Sequence, residues 1–142
     1  MPSKEAHLAA AKQNQATLDY LLKSDDHLAW AVTVAFYKAM HIIEAVFAGD
    51  AQSPVAHTDD HKVRNRILKT TNRYRQLWRM YRPLWEASLI ARYLRSDDHG
   101  PTYEIFTQYM NRADVEQRVV GHYLAQIEKS AAILLGGPNL WA

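Results

Sequence analysis

The sequence contains no cysteine among its 142 residues, which excludes disulfides, thiolate catalysis and cysteine-ligated metal sites. Glycine and proline occur only five times each, so few turns interrupt the chain. Apolar and polar residues nowhere alternate over the length of a β-strand. The chain also lacks the glycine-rich phosphate loop, the dinucleotide-binding glycine fingerprint and the serine nucleophile elbow. These absences exclude several common enzyme designs and favour a helical protein.

Long apolar segments are scarce as well. The N-terminal Met1-Pro-Ser-Lys-Glu lacks the apolar core of a signal peptide, and the longest apolar stretch, around residues 29–34, is far shorter than a membrane span. A hydrophobic content of 48% and a charged content of 23% are typical of a globular domain. We therefore expect one domain over residues 1–142, with its core at about 4–135, no membrane association and a cytoplasmic location.

Helical spacing of apolar residues, together with capping and terminating residues, predicts five helices. Ser3 is the expected N-cap of the first helix, Gly49 ends the second, and Pro83 separates the third from the fourth. Gly136-Gly137-Pro138 is expected to terminate the last helix. The second helix is apolar nearly all round, which is typical of the centre of a bundle. The predicted fold is an all-α, four- to five-helix up-and-down bundle, with helices at about 3–23, 26–48, 60–82, 83–95 and 113–135.

Positive charge is concentrated in one part of the chain. The net charge is +2, but ten Lys and Arg residues and a single acid, Glu86, lie between Lys62 and Arg95, which gives this block +9 and the remainder −7. A block this basic indicates a site for a polyanion such as RNA, DNA or a nucleotide, or else a solvated helix face. Helical geometry is expected to divide the third helix into two basic stripes, one of Lys62, Arg66, Lys69 and Arg73, the other of Arg64, Arg75, Arg79 and Arg82.

Seven histidines are many for a domain of this size. We expect His7, His27 and His122 at the surface without a role, and His41 as a hydrogen-bonded residue of the core. His57 and His61 are four residues apart and could share a metal with His41 or a carboxylate. Their spacing crosses a loop–helix junction and no metalloprotease-type HExxH glutamate is present, so we expect no metal ion and no cofactor.

The two ends of the basic block carry the chemistry. His61 and Arg64 lie one turn apart at a helix N-terminus, where free N–H groups and the helix dipole favour a phosphate. A histidine there, near arginines, can serve as a general base. Arg92 closes the fourth helix, and His99 follows in the next loop. Metal-free RNA cleavage needs a base, an acid and a cation to stabilise the phosphorane, and these residues supply all three.

Three segments in order, WAVTVAFYKAMHIIEA from Trp30, HKVRN from His61 and SLIARY from Ser88, resemble the HEPN superfamily (higher eukaryote and prokaryote nucleotide-binding domain). The resemblance covers about residues 18–128 and is to the small stand-alone prokaryotic members. It implies a four- to five-helix bundle that forms a homodimer. Many such proteins are metal-independent endoribonucleases of toxin–antitoxin and other defence systems.

The signature of those ribonucleases is an arginine, four to six residues and a histidine, a spacing that Arg92 and His99 meet. Tyr93 stands where Asn, Asp or His often follows the arginine. We therefore predict an RNA- or nucleotide-binding domain in which Arg92 holds the scissile phosphate and His99 or His61 transfers protons. The binding residues are expected to be Arg64, Asn65, Arg66 and Arg95. The alternative is a non-catalytic helical interaction module whose basic helix docks an acidic protein partner, such as an antitoxin.

Overall fold

A computed structural model describes residues 1–137, and these residues form helices and loops without a β-strand. This confirms the predicted all-α class, and Pro138, the expected final helix stop, lies outside the described residues. Five helices make up the fold, the last of which continues through three consecutive segments. They are α1, Lys4–Leu21; α2, Leu28–Gly49; α3, His61–Thr70; α4, Arg75–Tyr93; and α5, residues 112–134, made of Arg112–Asp114, the π-helical Val115–Leu124 and Ala125–Leu134.

Helix α2 is the centre of the bundle, as its all-round apolar sequence predicts. Fourteen of its 22 residues are buried, among them Phe36, Ile42, Ile43 and Phe47. It packs against α1, α4 and α5. Ring contacts of His7 with His41 and of Phe47 with Tyr74 show that α1 and α4 run antiparallel to α2.

The direction of α5 follows from two ion pairs. Arg112 at its start pairs with Asp25 just before α2, and Glu128 near its end pairs with the buried Lys38 in the middle of α2. Helix α5 therefore runs parallel to α2, and the four long helices alternate in direction along the chain. The short α3 packs mainly against α4 and lies beside α2 through an Arg64–Glu44 ion pair.

The third helix ends earlier than its sequence pattern predicts. Helix α3 stops at Thr70, because Thr71 takes an extended conformation with φ −97° and ψ 113°. The Thr70 hydroxyl also donates a hydrogen bond to the carbonyl of Arg66, at 2.7 Å. A pair of β-branched threonines followed by Asn72 has low helix propensity, so the chain breaks there and a 3₁₀ turn, Asn72–Tyr74, leads into α4.

The predicted break at Pro83 is wrong, because α4 passes through this residue without ending. A proline in a helix interior removes only its own bond to the carbonyl four residues earlier, here that of the exposed Arg79, which water can solvate. Tyr81 and Leu84 on either side are completely buried and hold the helix on the core. Helix α4 ends instead at Leu94, which adopts the left-handed conformation with φ 61°.

One segment of the described residues, Asp25–Gly49, is long and apolar enough to span a membrane by length and composition. This segment is longer than the apolar stretch around residues 29–34 that the sequence analysis compared with a membrane span. Of the most apolar 18-residue stretch within it, 72% is buried inside the protein, as is common for the central helix of a bundle.

Candidate functional site

The structure brings His61 and Arg92, from opposite ends of the basic block, to the same side chain of the core. The His61 ring lies 5.8 Å from the ring of Phe36, centroid to centroid. The guanidinium carbon of Arg92 lies 5.8 Å from the same Phe36 ring. Side chains from the start of α3 and the end of α4 therefore both approach the ring of Phe36 in α2, as the sequence-based site requires. We call His61, Arg92 and two exposed aromatic residues, Trp30 and Tyr93, the His61–Arg92 site.

Arg64 fixes the tautomer of His61. Its Nη1 lies 3.1 Å from His61 Nδ1. A guanidinium can only donate, so Nδ1 accepts and the proton of the neutral imidazole sits on Nε2. Burial, followed by the charges of Arg64 and Arg92, lowers the pKa of His61 below its ordinary value. His61 therefore rests as a neutral N–H donor, and the general-base role expected from the sequence requires a change of tautomer.

Two exposed aromatic side chains flank Arg92. Trp30 is 64% exposed and Tyr93 is 63% exposed, although large aromatic side chains usually bury most of their surface. The guanidinium of Arg92 lies 5.3 Å from the Tyr93 ring centre. A cavity of about 200 Å³ beside it is lined by Trp30, Thr33 and Arg92, with Ala29 and Ala91. A cation between two accessible aromatic faces is an arrangement that can hold a phosphate and stack a base.

Helix α4 holds Arg92 in place through Ser88, one turn earlier. Arg92 donates from Nε to the Ser88 carbonyl at 3.2 Å and from Nη2 to the Ser88 hydroxyl at 3.3 Å. Ser88 itself is completely buried. Among the residues described, no carboxylate pairs with Arg92. The guanidinium therefore keeps its positive charge uncompensated at the edge of the cavity.

Behind the surface, Arg64 is not free to bind a ligand. Its side chain is only 5% exposed, and Nε donates to Glu44 Oε1 at 3.1 Å. Glu44, from the middle of α2, is itself 2% exposed and also accepts hydrogen bonds from the backbone N–H and the hydroxyl of Thr58. The ligand-orienting role expected for Arg64 is therefore indirect, because it positions His61 from within the core.

Two histidines, His7 and His57, lie close to the carboxylate of Glu44. His57 Nδ1 lies 3.2 Å from Glu44 Oε2, within ion-pair distance but without a hydrogen bond, and His7 Nε2 is buried without a hydrogen-bond partner. The ligand atoms of His7, Glu44 and His57 all lie within 4.8 Å of one another. We call Glu44, Arg64, Thr58, His57 and His7 the Glu44 cluster.

The burial of His7 corrects the sequence-based expectation that it is a surface bystander. It is 5% exposed, and its Nδ1 lies 3.1 Å from Nδ1 of His41. His41 thus has the hydrogen-bond partner expected of a core histidine. Burial, followed by the charge of a neighbouring group (His41 for His7, Arg64 for His41), lowers the pKa of both residues. His61 faces Arg64 and Phe36, so it does not share the ligand group of His57 as the i, i+4 spacing suggested.

The remaining predicted site residues make no recorded contact with His61 or Arg92 in the described part of the chain. His99 is exposed in the loop after α4, where its backbone N–H donates to Asp97, and no contact of its ring with Arg92 is observed in the described part of the chain. Arg95 donates to the Asp97 carbonyl at 3.0 Å and so belongs to that loop. Arg66 is exposed on α3, and Asn65 is half-buried with a buried, unpartnered Oδ1.

The two basic stripes expected on one continuous helix do not form. The break at Thr71 changes the register, and Arg64 is buried while Arg73 pairs with Asp50 at 2.8 Å. Besides Arg73, the exposed members of the two stripes are Lys62, Arg66 and Lys69 on α3 and Arg75, Arg79 and Arg82 on α4. Because α3 and α4 are separate helices, these side chains do not form one continuous basic stripe.

The sequence analysis missed Glu44 and His7, although each gave a signal. Glu44 is an isolated acid in an otherwise apolar helix, where a charge requires a buried partner. His7 lies four residues before Ala11 and eleven before Leu18, hence on the buried stripe of α1. Comparison of the chain with family models, curated proteins and solved structures found no match.

Proposed function

We propose that the protein is an RNA- or nucleotide-binding domain that binds a phosphate group between Arg92 and His61. The observation that carries the proposal is the convergence of these two side chains on Phe36 from the two ends of the basic block. Arg92, with no acidic partner among the described residues, provides the charge, and the Nε2–H of His61 provides a neutral donor.

The surroundings of Arg92 favour a ligand that carries bases as well as phosphates. Trp30 and Tyr93 offer exposed rings on either side of the cation, and stacking on such rings contributes about 1–3 kcal/mol per base. The exposed Lys62 and Arg66 in the first turns of α3 would draw a polyanion towards the site. A single-stranded RNA uses all three features at once.

Cleavage of the bound RNA is the second candidate function, in the manner of a metal-independent HEPN-type endoribonuclease. The observation in its favour is the lowered pKa of His61 beside Arg92, which keeps the imidazole neutral at pH 7. Because Nδ1 accepts from Arg64, proton abstraction from a 2′-hydroxyl requires His61 to move its proton from Nε2. The resting geometry therefore supports binding more directly than cleavage.

The resemblance to HEPN proteins also implies a homodimer, and we propose that two copies of the His61–Arg92 site share one cleft in it. The five-helix bundle and the exposure of Trp30 and Tyr93 beside Arg92 support this arrangement. The same exposed rings support the alternative of a module that docks an acidic protein partner. The two functions differ in the ligand they require, since an RNA site binds single-stranded RNA with an affinity that falls as salt rises and a protein-docking module needs no RNA.

The test is the affinity of a fluorescent single-stranded RNA in EDTA, measured by anisotropy at several salt concentrations. Arg92→Ala is expected to weaken binding about 10- to 100-fold, because a charge-assisted hydrogen bond contributes about 1.5–3 kcal/mol. Arg82→Ala is the matched control, since Arg82 is exposed on the same helix and already pairs with Glu86. Equal affinity of wild type and Arg92→Ala would refute the proposed site, and intact RNA after long incubation with wild type would refute cleavage.

A further inference from the structure

We propose that His7, Glu44 and His57 form a binding site for a divalent transition metal, with Zn²⁺ as the best-suited ion. The three residues come from α1, α2 and the loop before α3, and their ligand atoms lie within 4.8 Å of one another. Two imidazole nitrogens and one carboxylate oxygen are a common set of three protein ligands for zinc, with water as the fourth.

Two buried nitrogens without a hydrogen-bond partner point to a ligand at this place. Buried polar atoms are nearly always hydrogen-bonded, and only five side-chain atoms of the described residues break that rule. Two of the five are His7 Nε2 and His57 Nδ1, the nitrogens that belong to this group. A metal ion between them and Glu44 would give both nitrogens a bond.

The opposite nitrogen of each histidine is held in the way that metal ligands require. His57 Nε2 lies 2.9 Å from Asp59 Oδ1, so it carries the proton and leaves the lone pair on Nδ1. His7 Nδ1 lies 3.1 Å from His41 Nδ1 and can donate to it, which leaves a lone pair on Nε2. A carboxylate or another acceptor behind each metal-binding imidazole is the usual arrangement around protein metals.

Glu44 retains the capacity for one more partner. Its Oε1 accepts from Arg64 and the Thr58 hydroxyl, and its Oε2 accepts only from the Thr58 backbone N–H. A carboxylate oxygen has two lone pairs, so Oε2 can bind a cation while its hydrogen bond from the Thr58 N–H remains. His57 Nδ1 lies 3.2 Å from this oxygen, close to the separation of about 3.3 Å between two ligands of a tetrahedral zinc.

Access and charge also suit a cation. The side chain of His57 is 21% exposed, so one of the three ligands is in contact with solvent. Glu44 balances Arg64 next to it, and Asp59 adds a further negative charge behind His57. The metal would join three segments that are distant in sequence. Because it would bind only the folded chain, it would stabilise the fold by mass action.

The experiment uses full-length protein freed of metal with EDTA and titrated with Zn²⁺ against a chromophoric chelator, and with Co²⁺ as a spectroscopic probe. We expect one tight equivalent, a visible cobalt spectrum of tetrahedral type and a rise in Tm with Zn²⁺. His57→Ala should weaken zinc binding at least about 100-fold, since it removes one of three ligands. The surface variant His122→Ala is the matched control and should bind as wild type does.

A second variant protects the test from misfolding. The side chain of Asp59 is 92% exposed, so Asp59→Ala leaves the core intact, yet it should weaken zinc binding about 10-fold by removing the partner of His57. No saturable single equivalent in wild type would overturn the proposal. Unchanged zinc affinity in His57→Ala, or an equal loss in His122→Ala, would overturn it as well.

Discussion

Glu44 of α2 and Asp50, the residue after its last turn, pair with two arginines that follow in the chain, and the pairs are built differently. Asp50 accepts from Arg73 at 2.8 Å, from the hydroxyl of the buried Tyr74 at 2.8 Å and from the N–H of Gln52 at 3.1 Å. We call these four residues the Asp50 clasp. The Glu44 cluster instead leaves two histidine nitrogens without hydrogen bonds and leads through Arg64 to His61.

The Asp50 clasp closes the end of α2, whereas the Glu44 cluster contains the residues of the proposed metal site. In the Asp50 clasp, each buried side-chain nitrogen or oxygen has a hydrogen-bond partner. Its arginine, Arg73, reaches the solvent with 35% of its side chain exposed. In the Glu44 cluster the arginine is 5% exposed and unsatisfied atoms remain beside the acid. Incomplete satisfaction inside a core is costly, and it often marks a place that binds something.

The largest effect is expected when the Glu44 pair is broken. Glu44→Gln leaves the buried Arg64 without a counterion, which should lower the free energy of unfolding by about 3–5 kcal/mol. Urea denaturation followed by circular dichroism measures the change. Glu86→Gln is the control, because its ion pair with Arg82 is exposed and should contribute less than about 1 kcal/mol. Equal stability of the two variants would show that the Glu44 cluster is not a buried ion pair in solution.

A smaller loss is expected from the Asp50 clasp. Asp50→Ala leaves the buried Tyr74 hydroxyl without its acceptor, which should cost about 1–3 kcal/mol, whereas the exposed Arg73 becomes hydrated. The same denaturation experiment measures it. RNA and zinc affinities should stay within about threefold of wild type, a margin of less than 1 kcal/mol. A specific loss of either ligand in Asp50→Ala would remove the distinction between the two pairs.

The stability contributions of the two regions should also be lost in different pH ranges. The pKa of His61 is lowered by burial and by Arg64, so the unfolded chain takes up its proton first and the stability associated with His61 is lost as pH falls below about 6.5. The pKa of Asp50 is lowered by its hydrogen bond from Arg73, so its contribution is lost only as pH falls below about 4.

Unfolding free energies of wild type and His61→Gln, measured in EDTA from pH 8 to pH 3, check this separation. We expect the wild type to lose stability relative to His61→Gln as pH falls through 6.5 to 5. Relative to Asp50→Ala, it should lose stability only in the acid range. Parallel curves for wild type and His61→Gln above pH 5 would contradict the lowered pKa of His61.

Sequence reasoning recovered the helices because their caps and periodicity are local features. Ser3 does cap α1, its hydroxyl accepting from the N–H of Ala6, and Asp60 caps α3 in the same way through Val63. Pro83 misled it, since whether a helix continues through a proline depends on the packing of Tyr81 and Leu84 against the core. Tertiary contacts decide such positions, and one helix considered alone does not contain them.

The site was predictable in part for the same reason. The meeting of His61 with Arg92 follows from an antiparallel α3–α4 pair, which short connections favour. The burial of Arg64 and the inward position of His7 depend on Glu44, which lies 20 residues from Arg64 along the chain. A local pattern carries no record of that pairing, so Arg64 was taken for a ligand-binding residue and His7 for a bystander.

The central prediction is that Arg92 and His57 belong to two separate sites, which the Glu44–Arg64 pair connects through its contacts with His61 and His57. The most direct measurement is the affinity of Arg92→Ala and of His57→Ala for both single-stranded RNA and Zn²⁺. We expect Arg92→Ala to lose RNA at least about 10-fold and keep zinc, and His57→Ala to lose zinc and keep RNA. Loss of both ligands in both variants, or of neither ligand in either variant, would contradict it.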